Sequence, residues 1–232
     1  MTSAGTTTDV LDNVSWHAIS GPQSALADRV GLAGRYHLDV APFAAIADPT
    51  SDEAWRDLAT LTGAGHPAVL FAPNLEPRTG WSVVRHFNCL QLVAGEIGEP
   101  PDIDLVDLGP DDVPEMLELV AATRPGPFSD RTIEMGRYLG HHVDGRLVAM
   151  AGERMRCAGF TEVSAVCTAP DMRGRGLGGM LTLAVSHHIR SRGDEAFLHV
   201  AEDNTNALRL YLDIGFTVRR DDIDVLIVRE GS

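Results

Sequence analysis

Residues 171–179 read DMRGRGLGG, with glycines at 174, 176, 178 and 179 and arginines at 173 and 175. The turn follows an alternating stretch, GFTEVSAVCTAP, and precedes a helix-like one, LGGMLTLAVSHHI. A strand that turns through glycine into a helix presents unpaired backbone N–H groups to an anion, and the helix dipole favours negative charge there. Gly174, Gly176 and Gly178 permit close backbone approach, while Arg173 and Arg175 add positive charge. The ligand chemistry is that of a phosphate or pyrophosphate. A tight arginine-bearing turn without a ligand is the plainer alternative, but it accounts for one glycine and not for four. The dinucleotide fingerprint G-x-G-x-x-G can be laid on Gly174, Gly176 and Gly179, yet the acid it needs about twenty residues later should end a strand. Asp194 and Glu195 stand at the start of one instead. The chain has no lysine. That excludes a Walker P-loop, a pyridoxal Schiff base and a protein kinase, each of which uses that side chain.

The elements around the turn must place it. A strand at 103–108 leads into a helix over 109–123 whose face is Val113, Met116, Leu117 and Val120. SDRTIEMG (129–136) begins a short helix. A hairpin follows, with strands at 137–143 and 146–155 about an Asp144, Gly145 turn. GFTEVSAVCTAP is the next strand, stopped by Pro170. Leu177, Leu181, Val185 and Ile189 recur every four residues in the helix after the glycines. DEAFLHV (194–200) is a strand, and NTNALRLYLDIG is a helix with Asn204 placed as N-cap. FTVRRDDIDVLIVRE supplies one or two strands. The hairpin excludes a purely parallel, doubly wound sheet. The fold class is mixed α/β with a mainly antiparallel sheet.

The first hundred residues are less regular. Residues 1–12 read as frayed, and 16–33 as a first helix interrupted by GPQ at 21–23. Residues 51–61 form a helix capped by Ser51 or Asp52. Residues 68–72 are a short strand, and GWSVVRHFNCLQLVAGE gives one or two more. GEPPDI (98–103) reads as a linker between an N-terminal α/β region, 1–100, and a domain at 103–230.

The formal charge is −14, from 33 acidic and 19 basic residues. Nucleic acids and anionic membranes need a positive footprint, so neither is an expected partner. The same charge points to a cationic small substrate. No run reaches the roughly 18 apolar residues of a membrane helix, and the N-terminus lacks the basic and apolar regions of a signal peptide. Cys89, Cys157 and Cys167 are dispersed and odd in number, which suits a reducing, cytoplasmic setting. His141 with His142, and His187 with His188, are adjacent pairs whose side chains diverge, and neither makes a metal site. No metal is expected.

Two motifs carry a family resemblance. Arg173, Gly176 and Gly178 fall on Arg/Gln-x-x-Gly-x-Gly/Ala. Asn204, Ala207, Leu210, Tyr211, Gly215 and Phe216 fall on N-x-x-A-x-x-L-Y-x-x-x-G-F. In this order, with EVSAVCTAP upstream, they resemble the GNAT superfamily of acetyl-CoA-dependent N-acetyltransferases over about 103–230. The resemblance implies the GNAT-like acyl-CoA N-acyltransferase fold and acetyl-CoA as donor. The pyrophosphate would rest on the backbone of Arg173, Gly174, Arg175, Gly176, Leu177, Gly178 and Gly179. The pantetheine arm would run beside Val166, Cys167 and Thr168 in a gap between adjacent strands. Asn204 would bind the arm, and Tyr211 would sit near the sulfur. The N-terminal region is either a degenerate copy of the same fold or an unrelated lid, with the helix–strand–strand order favouring the copy.

The implied reaction is direct attack of a primary amine, on a small molecule or a peptide, on the thioester. Tyr211 is the expected acid for the leaving thiolate, since a phenol is neutral at pH 7. Glu162, at a position where several family members keep a catalytic glutamate, is the expected base, with Glu153 in reserve. That role needs burial to raise its pKa. Cys167 reads as buried and inert. The acceptor pocket would draw on 124–136, with Phe128 and the Pro125 to Pro127 loop, on strand edges and on the N-terminal region. The chain is expected to be a monomer or a homodimer. A CoA-binding module without catalysis is the second hypothesis, and a nucleotide- or phosphosugar-binding domain the third. The survival of Tyr211 and Glu162 favours the enzyme, and the downstream Asn–Tyr–Gly–Phe motif opposes the third.

Overall fold

The computed structural model of the protein describes residues 8–100 and 102–231. After a 3-10 turn at Thr8–Asn13 the chain runs through α1 (Val14–Ile19), then β1 (Ala27–Val30), β2 (Ala33–Tyr36), β3 (Ala44–Ile46), α2 (Asp52–Thr62), β4 (Pro67–Pro73) and β5 (Trp81–Ala94). It continues through β6 (Val106–Leu108), α3 (Val113–Thr123), β7 (Tyr138–Val143), β8 (Arg146–Cys157) and β9 (Phe160–Thr168). It ends with α4 (Leu177–Ser191), β10 (Glu195–Ala201), α5 (Thr205–Asp213) and β11 (Phe216–Glu230). Local chemistry sets the ends of these elements. Ser51 accepts from the Ala54 N–H at the start of α2, with Asp52 and Glu53 in its positive first turn.

One eight-stranded sheet runs in the order β4-β11-β5-β10-β9-β8-β7-β6. Every neighbouring pair in it is antiparallel except β9 with β10. Strands β1, β2 and β3 form a separate antiparallel sheet. Alternation along the strands divides the core between two faces. Leu92 of β5 and Leu198 of β10 pack with Met116 of α3 and Leu181 and Val185 of α4. Cys89 of β5 and Phe197 of β10 turn the other way, onto Leu11, Val14 and Phe43 of the N-terminal region. Burying each large aliphatic side chain contributes about 1.5–3 kcal/mol relative to exposure.

Several elements differ from the sequence expectations. Of residues 1–12, expected to fray, 1–7 lie outside the described residues. Thr8–Asn13 form a 3-10 turn, tied down by the buried Leu11 and by Gln91 Nε2 donating to the Leu11 carbonyl at 2.9 Å. The first helix stops at Ile19, because Gly21 and Pro22 break it, and residues 27–36 pair as a hairpin. The two uncertain stretches each resolve as one long strand, β5 and β11, with the bends of β11 absorbed as bulges. The sheet also crosses the boundary expected at 98–103. β4 and β5 belong to it, with β5 seated between β10 and β11, and the chain then crosses to β6 at the far edge. The N-terminal region thus lends strands to this sheet instead of closing a second one of the same kind. No helix among the described residues is long and apolar enough to cross a membrane.

Candidate active site

β9 and β10 are paired only from Phe160↔Glu195 to Glu162↔Phe197. Beyond that point they diverge, and a cleft of about 1010 Å³ opens between them, lined by residues 163–168 of β9 and 199–201 of β10. The divergence has a local cause. The ladder between β8 and β9 shifts between Met150↔Cys167 and Gly152↔Ser164, leaving one extra residue on β9, and Ala165 adopts φ +53°. Such a bulge bends its strand. The positive φ at a non-glycine costs of order 1–3 kcal/mol, a strain that clusters at functional sites. Among the described residues, the edge of β9 at 163–168 that faces β10 has no strand partner. Its backbone N–H and C=O groups are left for an extended ligand.

The glycine turn stands beside this cleft: Arg173 lines it, whereas residues 174–179 lie outside the lining, with Gly178 next to Val166 and Thr168. Gly174 and Gly176 both take φ +78°, the left-handed conformation that glycine enters without a Cβ penalty. Gly176 is the N-cap of α4, with no side chain capping it. The first hydrogen bond of α4 is Met180 N–H to the Gly176 carbonyl, 3.0 Å, so the N–H groups of Leu177, Gly178 and Gly179 precede the helical ladder. Arg173 lines the cleft and donates Nε–H to the Thr168 carbonyl at 3.4 Å. Arg175 is exposed and stands outside the lining. Orphan N–H groups, a helix N-terminus and a guanidinium form a donor set suited to a pyrophosphate.

Tyr211, on α5, reaches the same cleft beside Val166 and Cys167. Burial pushes its phenol up to about 12, so it is neutral at pH 7 and can donate a hydrogen bond. Cys167 is buried, and burial pushes its thiol up to about 11, far from the thiolate a nucleophile needs. Asn204 lines the cleft and also caps α5, its Oδ1 accepting from the Ala207 N–H at 3.2 Å. Its amide NH₂ is then the group left for a ligand. Pro125 and Gly126 line the cleft, whereas Phe128 packs edge-on against Tyr138 and stands outside the lining.

Glu162 differs from its expected state. The base role requires an accessible carboxyl with a raised pKa. The side chain is fully buried, and Arg154 holds it in a fork at 2.7 and 2.6 Å. It also accepts from the Met155 N–H at 3.3 Å and from His199 Nδ1 at 2.6 Å. Burial raises its pKa, but the charge and hydrogen bonds of Arg154 and the contact with His199 outweigh that, and it settles at about 2. Near neutrality it is an anion beneath the cleft and not a proton acceptor. Glu153, the reserve, is likewise buried and forked by Arg192 at 2.8 to 3.1 Å, outside the lining.

The residues that sequence reasoning missed are Glu162's partners. A carboxylate only accepts, so His199 donates Nδ1–H to it. The other ring nitrogen, Nε2, then accepts from Gln91 Nε2 at 2.9 Å. The Gln91 amide is oriented by Arg219, which donates to its Oε1 at 2.7 Å. Burial lowers the His199 pKa, against the pull of Glu162. Arg154 and His199 both line the cleft. A signal existed for each: a histidine in the apolar run AFLHVA, and an arginine in β8 across from a glutamate in β9.

A mixed sheet whose one parallel pair splays beside a glycine-capped helix N-terminus has the architecture of an acyltransferase. The comparisons with known proteins agree. The family model described as FR47-like protein matches residues 138–225. A GNAT-family protein from Novosphingobium aromaticivorans is 38% identical, with a TM-score of 0.86, over 96% of this chain and 99% of that one. The chain belongs to the GNAT family of acetyltransferases. A GCN5-related N-acetyltransferase from Kribbella flavida shares the fold at 16% identity, with a TM-score of 0.62 over 99% and 97% of the two chains. Mycothiol acetyltransferase of Thermomonospora curvata is 39% identical over 47% of this chain and 35% of its own length. That of Rhodococcus jostii is 34% identical over 55% and 50%. The chain thus spans half or less of the length of these two curated relatives.

Proposed function

We propose that the protein transfers an acetyl group from acetyl-CoA to a primary amine. The observation that carries this reading is one cleft lined by Arg173, by the edge of β9 at 163–168 and by Tyr211, with Gly178 of the glycine turn next to Val166 and Thr168. The pyrophosphate lies on the N–H groups of Leu177, Gly178 and Gly179 with Arg173 beside them, and the pantetheine arm follows residues 166–168. Asn204 holds the arm through its amide. The amine nitrogen attacks the thioester carbonyl, the C–S bond breaks, and CoA leaves as its thiol with the proton the amine gives up.

Tyr211 serves the leaving sulfur. With a phenol near 12 and a thiol near 8.5, it hydrogen-bonds the thiolate more readily than it surrenders its proton to it. Glu162 does not take the amine's proton. It fixes Arg154 and His199 in the cleft wall, and the amine loses its proton to water in the open cleft before attack. The name of the curated relatives makes a mycothiol-related amine one acceptor to include in a panel.

The test is incubation with acetyl-CoA and a panel of amines while free thiol is followed. Thiol release that depends on the amine supports the reading. Tight CoA binding without turnover on any acceptor would instead select the non-catalytic CoA-binding module.

A further inference from the structure

Arg85 and Phe87 enter the cleft from β5, the strand that the N-terminal region inserts between β10 and β11. They share one face of β5 with Cys89, two residues apart each, and the ladder to β11 is regular from Cys89↔Ile223 to Arg85↔Ile227. Cys89 packs on the N-terminal region, on the face opposite Leu92 and α4. The glycine turn therefore addresses the cleft from the α4 side, and Arg85 and Phe87 address it from the other.

The charge in the cleft is the reverse of the chain's. Its lining carries Arg85, Arg124, Arg154 and Arg173 against one acid, Asp203, whereas the chain has 33 acidic residues and 19 basic ones. Arg154 is matched by Glu162 at 2.6 Å, and Arg173 stands at the turn. The Arg85 guanidinium lies over the Phe87 ring, 5.4 Å from its centroid, and among the described residues it forms no ion pair. A ring under one side steadies a guanidinium without using its N–H donors. That leaves a planar fork suited to a carboxylate or phosphate.

We infer that Arg85 and Phe87 form the acceptor wall and read an anionic group, a carboxylate or a phosphate, carried by the amine that is acetylated. This rests on the N-acetyltransferase reading, and it replaces the cationic acceptor suggested by net charge. Net charge describes the whole surface, and the cleft has its own field. The N-terminal region thereby supplies the strand on which the acceptor is recognised.

The experiment pairs amines that differ in one charge: amino acids with their amides, and phosphoethanolamine with ethanolamine. Acetyl transfer is measured for each, and binding to the CoA complex is titrated directly. The expected preference in kcat/KM and in affinity is about ten- to hundred-fold for the anionic member. Arg85→Ala should bring that ratio close to one, and Arg85→Lys should restore part of it; retained acetyl-CoA binding verifies that each variant is folded. The carboxylate and phosphate pairs decide between the two sources of charge. Equal binding and equal turnover of charged and neutral members, or a ratio unmoved by Arg85→Ala, overturns the inference. Selective binding of the anionic amines without acetyl transfer to any of them sustains the acceptor wall and overturns the enzyme reading.

Discussion

Glu162 Oε1 lies 2.6 Å from His199 Nδ1 at the point where β9 and β10 part. The contact spans the two walls of the cleft just where their ladder ends. It holds the splay at a fixed width by a charge-assisted hydrogen bond, replacing the backbone bonds the strands no longer make. Arg154 closes the same carboxylate from β8. Three strands thus meet on one buried anion.

Replacing Glu162 with Gln tests what that anion does. The amide leaves Arg154 without its counter-charge, and breaking a buried pair from one side costs about 3–5 kcal/mol. Turnover should fall at least tenfold. The shape of the pH–rate profile should not change, because kcat/KM rises with the neutral fraction of the amine. Profiles of both proteins between about pH 6 and 10 decide the matter. An inflection present in the native protein and missing from Glu162→Gln would restore Glu162 as the base.

Acid should lower the protein's stability in two stages. His199 is neutral in the fold, with its pKa lowered below the ordinary 6.5 by burial. The unfolded chain therefore takes up that proton first, and stability begins to fall as pH drops below about 6.5. Glu162 has a folded value of about 2 against an ordinary 4.5. Its contribution is complete above about 4.5 and is lost as pH falls toward 2, roughly 3 kcal/mol in all. Thermal midpoints across this range should show both declines. His199→Gln should remove its share of the upper one and also shrink the lower, since His199 helps hold Glu162 ionised; the same substitution at His188, whose pKa is also lowered by burial and which does not touch Glu162, should leave the lower one unchanged. A midpoint that stays level down to pH 4.5 would contradict the upper stage.

The shape of the glycine turn was legible in the sequence because it is local. Glycine spacing fixes a left-handed turn at Gly174 and Gly176, and Tyr211 follows Asn204, the N-cap of α5, by seven residues. The elements from 109 onward were legible for the same reason, since periodicity and capping act within a few residues. The state of Glu162 was not, because it depends on Arg154 across a bulged ladder and on His199 across a parallel one. Nor was the role of residues 67–94. A strand's neighbours in a sheet are set by pairing over more than a hundred residues, as between Leu90 and Val200, and one sequence carries no record of that.

Tyr211→Phe removes one hydroxyl from a residue that is already packed against Phe216, with ring centroids 6.2 Å apart. The ring's packing survives, so stability should change little. Loss of a hydrogen bond to the departing thiolate should lower kcat about ten- to hundred-fold, with acetyl-CoA affinity within about twofold of the native value. Steady-state kinetics with a direct CoA titration separate the two effects. Normal turnover would remove Tyr211 from the chemistry.

Substitutions in the glycine turn separate backbone strain from ligand exclusion. Gly176→Ala forces a Cβ onto φ +78°, at about 1–2 kcal/mol. It should disturb the N–H groups at the start of α4 and raise KM for acetyl-CoA about tenfold. Gly176→Glu adds a negative charge at the same place and should weaken binding further. Gly178→Ala is the informative companion. In the fold its Cβ would meet Leu210, Val166 and Thr168 at ordinary distances of 3.6 to 3.8 Å, so the protein should stay folded with a near-native thermal midpoint. A loss of CoA affinity in that variant can only come from the ligand's side of the turn. Unchanged affinity in all three would mean that the donor's phosphates rest elsewhere.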